Sequence, residues 1–346
     1  MADHSSPDPG HPAQSPSHPS RVRLGRTELW VPRLCQGTAF RHLPRHADSP
    51  EAEAVLRHCL EVGLTFFDSA IAYGWGGSEE LLGRVVAGRR TEAVICTKVP
   101  ASRPAAPGET AGTAARFTGD YLRTELEGSL RRLRTDWVDL YLLHQPDGQT
   151  PAVEVCAALD GLVRAGMVRY WGLSNHPAPF VAEACALAAE AGSSPPALVE
   201  DYYNVAGHGL DSTGRARVRR LEEEMFPVLR RRGLGLLAFS PMDTGQLAPQ
   251  HHPEPGSPLE RLTRGLDQVA GQLGATRAQV CLAWVLAHPE VSSVLAGPES
   301  PAHVDELLAG TSLVLPAEAL EQLTQASATY TRQLEAQHRA ASPPSA

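Results

Sequence analysis

Lysine is almost missing from this chain of 346 residues: of thirty-one Lys and Arg residues, only Lys98 is a lysine. Guanidinium is planar, bulky and always protonated, so Arg cannot stand in where a compact or deprotonatable amine is required. Lys98 ends the apolar run Ala93-Val-Ile-Cys-Thr-Lys98-Val-Pro100. Such a run buries its last residue, and a buried amine needs a partner, so Lys98 marks a candidate site. A lysine kept by chance on a solvated strand end is the competing account.

Other absences narrow the class. There is no surplus of positive charge: the formal net charge is −8, which opposes broad attraction to nucleic acid. No stretch approaches the roughly 18 apolar residues of a membrane span, and the N-terminus carries no apolar signal core. The six cysteines, at 35, 59, 96, 156, 185 and 281, stand singly in apolar runs. This pattern suits reduced, buried thiols in a cytoplasm better than a disulfide framework. Fourteen histidines include no H-E-x-x-H and no Cys/His pairing, so no metal site is expected. Gly172-Leu-Ser-Asn-His176 ends in His where a nucleophile elbow needs Gly.

What is present is a rhythm. Residues 1–20 are polar and rich in Pro, Ser and His, and are read as a disordered tail, as are residues 336–346. Arg21 to Trp30 alternates polar and apolar around Gly25-Arg26, a hairpin pattern. Eight β-rich runs follow, at 33–37, 65–68, 93–99, 138–144, 169–174, 198–203, 234–240 and 293–297. Between and after them lie amphipathic helical stretches at 51–62, 78–87, 120–133, 152–164, 179–191, 217–231, 266–288 and 301–308. Strict alternation predicts an α/β fold with a parallel sheet, specifically a (β/α)8 TIM barrel over 21–335 with an N-terminal β-hairpin. A doubly wound open sheet is the rival. It calls for G-x-G-x-x-G, and Gly74-Trp-Gly-Gly-Ser-Glu79 fails at its last position. The longer segments 101–117, 204–216 and 243–262 follow strands three, six and seven and so share the face where barrels keep their sites.

At the strand ends stand Asp68 and, five residues on, Tyr73; then Lys98; then His144. Together they form a proton-transfer set. A phenol with a reference pKa near 10 is lowered by an adjacent ammonium, Asp68 keeps that ammonium charged, and a neutral His144 donates to a substrate oxygen. Taken singly, each of these residues is as readily a cap, a core group or a loop anchor; the joint placement carries the reading.

The ordered series Phe67-Asp68-Ser-Ala-Ile-Ala-Tyr73-Gly74 with Ser78-Glu79 and Leu82-Gly83, then Thr97-Lys98-Val99, Asp139-Leu-Tyr-Leu-Leu-His144 and Gly172-Leu-Ser174-Asn175 closely resembles the aldo-keto reductases, from about Arg21 to Leu308. The resemblance implies NADPH bound at the top of the barrel and reduction of a carbonyl, with Tyr73 as general acid, Lys98 and Asp68 tuning it, and His144 orienting the carbonyl. By the same resemblance Gly37 and Thr38 border the cofactor, Ser174 and Asn175 hold the carboxamide, and Phe239 stacks on the nicotinamide. Ser240, Pro241, Met242, Gly245, Gln246 and Leu247 fold over the pyrophosphate, and Gly297, Ser300, His303 and Glu306 hold the adenosine end. Three departures stand out. Glu200 occupies the place of a carboxamide-binding Gln, Glu299 stands where many members carry an Arg for the 2′-phosphate, which opens NADH as an alternative, and Met242-Asp243 replaces a Leu-Gly type of turn.

Substrate-pocket candidates are Phe40, Arg41, His42, Trp75, Gln145 and Trp171, a mixture that suits a ketosugar, a small aldehyde or a natural-product ketone. Two other functions compete: a Schiff-base lyase using Lys98, and a cofactor-holding regulatory subunit of the same fold. The Arg, Ala and Pro bias points to a GC-rich bacterial genome.

Overall fold

The computed structural model describes residues 19–102 and 114–341. All but the last two residues of the expected N-terminal tail, residues 103–113 of the segment after strand three and the last five residues of the expected C-terminal tail lie outside them. Strands β3 (Leu34–Gly37), β4 (Phe66–Asp68), β5 (Val94–Val99), β6 (Val138–Leu143), β7 (Val168–Ser174), β8 (Leu198–Tyr202), β9 (Gly235–Phe239) and β10 (Val291–Ala296) close into a parallel barrel in the order β10-β3-β4-β5-β6-β7-β8-β9. Every residue of β5 and β6 is buried, as expected of strands covered on both faces. The fold is thus the (β/α)8 barrel expected from the sequence.

Period-two alternation sorts the side chains. Cys35, Phe66, Val94, Cys96, Leu140, Leu142, Leu198, Leu237 and Leu295 point inward and fill the barrel. Each fully buried leucine contributes on the order of 2 kcal/mol. The hairpin β1 (Arg21–Arg23) and β2 (Trp30–Pro32) adds Leu24, Leu29 and Val31 to that interior cluster and so plugs the N-terminal mouth. Its turn rests directly on β9: Gly25 has φ +52°, and a Cβ there would lie 2.5 Å from the Gly235 nitrogen. With the bottom sealed, access is left to the opposite end, where the strands finish.

The surrounding helices are α1 (Pro50–Glu61), α2 (Gly77–Val85), α3 (Gly119–Leu133), α4 (Ala152–Arg164), α5 (Ala178–Ala191), α6 (Arg217–Arg220), α7 (Phe226–Arg232), α8 (Pro258–Leu273), α9 (Arg277–Leu286), α10 (Pro301–Gly310) and α11 (Ala317–Ala341). Three expectations are corrected. The stretch 217–231 is α6 and α7 joined by a π-helical segment, Leu221–Met225. Pro227 has no N–H to offer the carbonyl four residues back, and the turn widens there. The stretch 266–288 is two helices: Gly274 ends α8 at φ +61°, and Thr276 with Gln279 starts α9 through a capping box. The tail read from residue 336 is helical to Ala341, because α11 docks through Leu323 and Tyr330 and through Glu335, whose carboxylate accepts from the Ala216 N–H at 2.9 Å and pairs with Arg219 at 3.1 Å.

Candidate active site

Lys98 is fully buried, so the solvated-end account fails. Its position is set by β5, whose Thr97 Oγ1 donates to the buried Glu79 of α2 at 2.5 Å, with Arg132 of α3 pairing to the same carboxylate at 2.7 Å. Lys98 Nζ donates to Asp68 Oδ1 and to the Ser69 carbonyl at 3.1 Å, lies 3.4 Å from the Tyr73 hydroxyl, and lies 3.4 Å from Glu200 Oε1. Burial works against the ammonium, but the neighbouring carboxyl groups, Asp68 foremost, outweigh it and hold Lys98 well above the usual amine value. It is a permanent cation.

Tyr73 reaches this cation because β4 does not end cleanly. Ser69 N–H and Ile71 N–H go on pairing with the carbonyls of Cys96 and Lys98, and a 3₁₀ turn then begins at Tyr73. Gly74 turns the chain at φ +59°, where a Cβ would stand 1.8 Å from the Arg45 carbonyl oxygen. The expected net lowering of the phenol is not met. Burial raises Tyr73 above its ordinary value, Lys98 pulls it back only in part, and Asp68 adds to the rise. The hydroxyl therefore stays protonated at neutral pH, the state in which it can act as an acid.

His144 follows β6, its N–H bound to the Val99 carbonyl at 2.9 Å. Its ring stands edge-on to Tyr73, centroids 5.8 Å apart and planes at 82°. Burial and the nearby Lys98 push it down to about 3, so the imidazole is neutral. Among the described residues, three buried side-chain polar atoms have no hydrogen-bond partner: His144 Nδ1, Asp68 Oδ2 and Glu200 Oε2. All three belong to this cluster.

The residues expected to border a cofactor share the same barrel face. Thr38 follows Gly37 at the end of β3, its hydroxyl donating to Ser69 Oγ at 2.9 Å. Asn175, just past the buried Ser174, has φ +59° and donates to the His144 carbonyl at 3.0 Å and to Ser174 Oγ at 2.9 Å. Phe239 ends β9, edge-on to Tyr202 at 4.8 Å. Beyond it Ser240, Asp243 and Thr244 all take positive φ, so Ser240, Pro241, Met242, Gly245, Gln246 and Leu247 form a tight loop in which Leu247 is fully buried and Gly245 and Gln246 are exposed. Asp243 turns inward, toward the Tyr202 hydroxyl at 3.3 Å and His208 Nδ1 at 3.3 Å. After the exposed Gly297, Ser300 caps α10 by accepting from the His303 N–H at 3.2 Å; His303 is exposed, and the Glu306 carbonyl accepts from Gln279. Glu299 fastens the loop after β3, accepting from the Arg41 N–H, the His42 N–H at 3.1 Å and the His42 ring at 2.9 Å.

The substrate candidates divide. Trp75, with 53% of its surface exposed beside Tyr73, stands at the rim, as do the exposed Arg41, His42 and Gln145. Trp171 is a correction: it lies in the helix-facing core, its indole N–H bound to the Ser194 carbonyl at 3.0 Å, because alternate residues of β7 point outward. Phe40 is likewise buried in that core layer. Sequence reading gave no role to Ser69, whose carbonyl accepts from Lys98 and whose hydroxyl accepts from Thr38, or to the Glu79–Arg132 pair behind Lys98. Glu79 inside an otherwise apolar helix face was the available signal.

The Aldo/keto reductase family model matches residues 33–328. An uncharacterised oxidoreductase of Bacillus subtilis (strain 168) is 32% identical over 321 residues, covering 87% of this chain and 93% of the relative. A probable voltage-gated potassium channel subunit beta of Oryza sativa subsp. japonica is 30% identical, covering 79% and 85%. Among solved structures, a thermostable aldo-keto reductase in complex with epalrestat superposes with a TM-score of 0.72 at 28% identity, covering 89% of this chain and 99% of that one. An aldo-keto reductase from Bacillus halodurans in its holo form gives the same TM-score at 25% identity, covering 89% and 96%. With the barrel, the buried cluster and these likenesses in hand, the chain belongs to the aldo/keto reductase family of NAD(P)H-dependent oxidoreductases.

Proposed function

We propose that the protein reduces an aldehyde or ketone to the alcohol, with Tyr73 as general acid, Lys98 and Asp68 setting its electrostatics and His144 orienting the carbonyl oxygen. The observation that carries this is the cluster itself: a buried cation 3.4 Å from a protonated phenol, beside a neutral imidazole whose Nδ1 is unpartnered.

The residues at the top of the barrel fit a nicotinamide dinucleotide. Gly245 at φ +100° and Gly297 leave open space where a Cβ would stand, and Ser174, Asn175 and Phe239 flank the catalytic cluster. The chemistry supplied by the bound cofactor is a hydride for the carbonyl carbon. The chain does the rest. His144 and Tyr73 hydrogen-bond the carbonyl oxygen, Tyr73 gives up its hydroxyl proton as charge builds there, and Lys98 stabilises the phenolate left behind. Lys98 is poorly placed for Schiff-base chemistry, since an attacking amine must be neutral and accessible, and here it is fully buried and paired with Asp68.

The sequence favours NADPH through family resemblance, whereas Glu299 favours NADH. Its carboxylate, committed to the Arg41 and His42 loop, places negative charge beside the segment read as the adenosine end. The substrate class, drawn from the exposed Trp75, Arg41 and Gln145, includes ketosugars and natural-product ketones. The six described free cysteines, all buried, suit a reducing cytoplasm. No helix among the described residues is long and apolar enough to cross a membrane. A second reading, a cofactor-holding regulatory subunit, draws on the similarity to the rice channel subunit. Oxidation of NADPH and NADH is measured across a carbonyl panel, with Tyr73→Phe as control. Turnover lost in the variant supports the reductase; tight cofactor binding with no turnover of any carbonyl supports the subunit.

A further inference from the structure

The buried cluster holds one carboxyl group more than its cation can serve. Lys98 has three N–H bonds, and these face Asp68 Oδ1, the Ser69 carbonyl, the Tyr73 hydroxyl and Glu200 Oε1. Asp68 Oδ2 and Glu200 Oε2 are left with no donor. Carboxyl oxygens of the two residues lie within 4.8 Å of one another, Asp68 1% exposed and Glu200 3%. Two ionised carboxylates around one ammonium would leave an uncompensated charge and two unsatisfied oxygens in a site closed to water. One proton removes both faults.

We propose that Glu200 is protonated in the resting protein and donates its hydrogen to Asp68, which makes it the positioning residue that keeps the charge around Lys98 at zero. Register explains why it faces Lys98. Glu200 pairs with Ser174 on β7 and Leu237 on β9, and the alternation of β8 turns its side chain inward. The titratable groups around it are Asp68 from β4, Lys98 and Cys96 from β5, Cys35 from β3 and Tyr73 from the turn after β4. Burial first, and then Asp68, push Glu200 well above the ordinary carboxylate value, with Lys98 pulling back. Cys35 and Cys96 are raised by burial and stay neutral, so neither competes for the role.

The consequence for turnover rests on the reductase reading. When Tyr73 releases its proton, Lys98 must stabilise phenolate. A neutral Glu200 leaves that field intact, whereas an ionised Glu200 adds a second anion and opposes it. The isosteric Glu200→Gln variant tests this in three ways. In infrared spectra at neutral pH the wild-type protein without cofactor shows the carbonyl stretch of a buried protonated carboxyl, and the variant lacks it. In denaturation, a carboxyl whose folded value is raised loses stability as pH climbs above the unfolded value of 4.5, so the wild-type midpoint falls relative to the variant over that range. In carbonyl reduction, wild-type kcat falls by about tenfold as Glu200 ionises while KM stays level, and the variant lacks that limb.

Absence of the band in wild-type protein, or midpoints that run parallel with pH, overturns the proposal whatever the turnover. Those two readouts need no substrate. A band and a diverging midpoint in a protein that reduces no carbonyl would sustain the shared proton and overturn the reductase reading instead.

Discussion

Lys98 Nζ lies 3.4 Å from the Tyr73 hydroxyl and in contact with Asp68, so one fully buried ammonium joins two strands and the turn beyond them. The proposed acid step depends on this approach, since neither residue alone would carry it.

Replacing Tyr73 by Phe removes the proton donor and one neighbour of Lys98 while preserving the ring. Reduction is expected to fall by about 10²- to 10⁴-fold in kcat, the usual worth of a positioned acid. Steady-state assays check this, and circular dichroism shows whether the fold persists. A variant that keeps wild-type kcat would remove Tyr73 from the mechanism.

Lys98→Met leaves the buried Asp68 carboxylate without its counter-charge. A loss of about 3–5 kcal/mol is expected at neutral pH, as for one partner removed from a buried pair. Urea midpoints at neutral pH measure it.

His144 has its folded value near 3 and its unfolded value near 6.5. The unfolded chain binds the extra proton between these, so the contribution of a neutral His144 to stability is complete above 6.5 and is lost as pH falls towards 3. His144→Gln is expected to flatten part of the acid limb of melting temperature against pH. His176, lowered by burial to about 4, contributes to the same limb and remains in the variant.

Gly74→Ala places a Cβ on the Arg45 carbonyl at a backbone angle that L-residues resist. The turn must shift, and Tyr73 with it. A displacement of about 1 Å costs on the order of 10²-fold in rate, so kcat should drop even where the variant stays folded.

Glu299→Gln removes one negative charge beside the segment read as the adenosine end. Affinity for NADPH relative to NADH should rise by about tenfold, the order expected of one charge at a partly exposed site. Cofactor titrations followed by protein fluorescence compare the two. An unchanged ratio would place the 2′-phosphate away from Glu299.

The eight strands were legible because each is a short apolar run bounded by turn residues, and most boundaries fall within two residues of the structure. The break at Gly274, the π segment Leu221–Met225 and the helix α11 were not read from the pattern. Apolar periodicity runs through the first two, and the last depends on docking by Leu323, Tyr330 and Glu335. In the site, Lys98 could be named because it is the sole lysine, and Asp68, Tyr73 and His144 because they stand together with it after successive strands. The direction of the Tyr73 shift could not, since proximity to Lys98 argues for lowering and only burial reverses it.

The sequence by itself determined the barrel, the face that carries the site and the residue types of the acid cluster, because strand periodicity and composition are local properties. Tertiary structure alone decided that Glu200 turns to Lys98, that Trp171 packs outward and that the phenol stays protonated. These outcomes depend on the distances between strands and on the exclusion of water, and no single segment of the chain contains either.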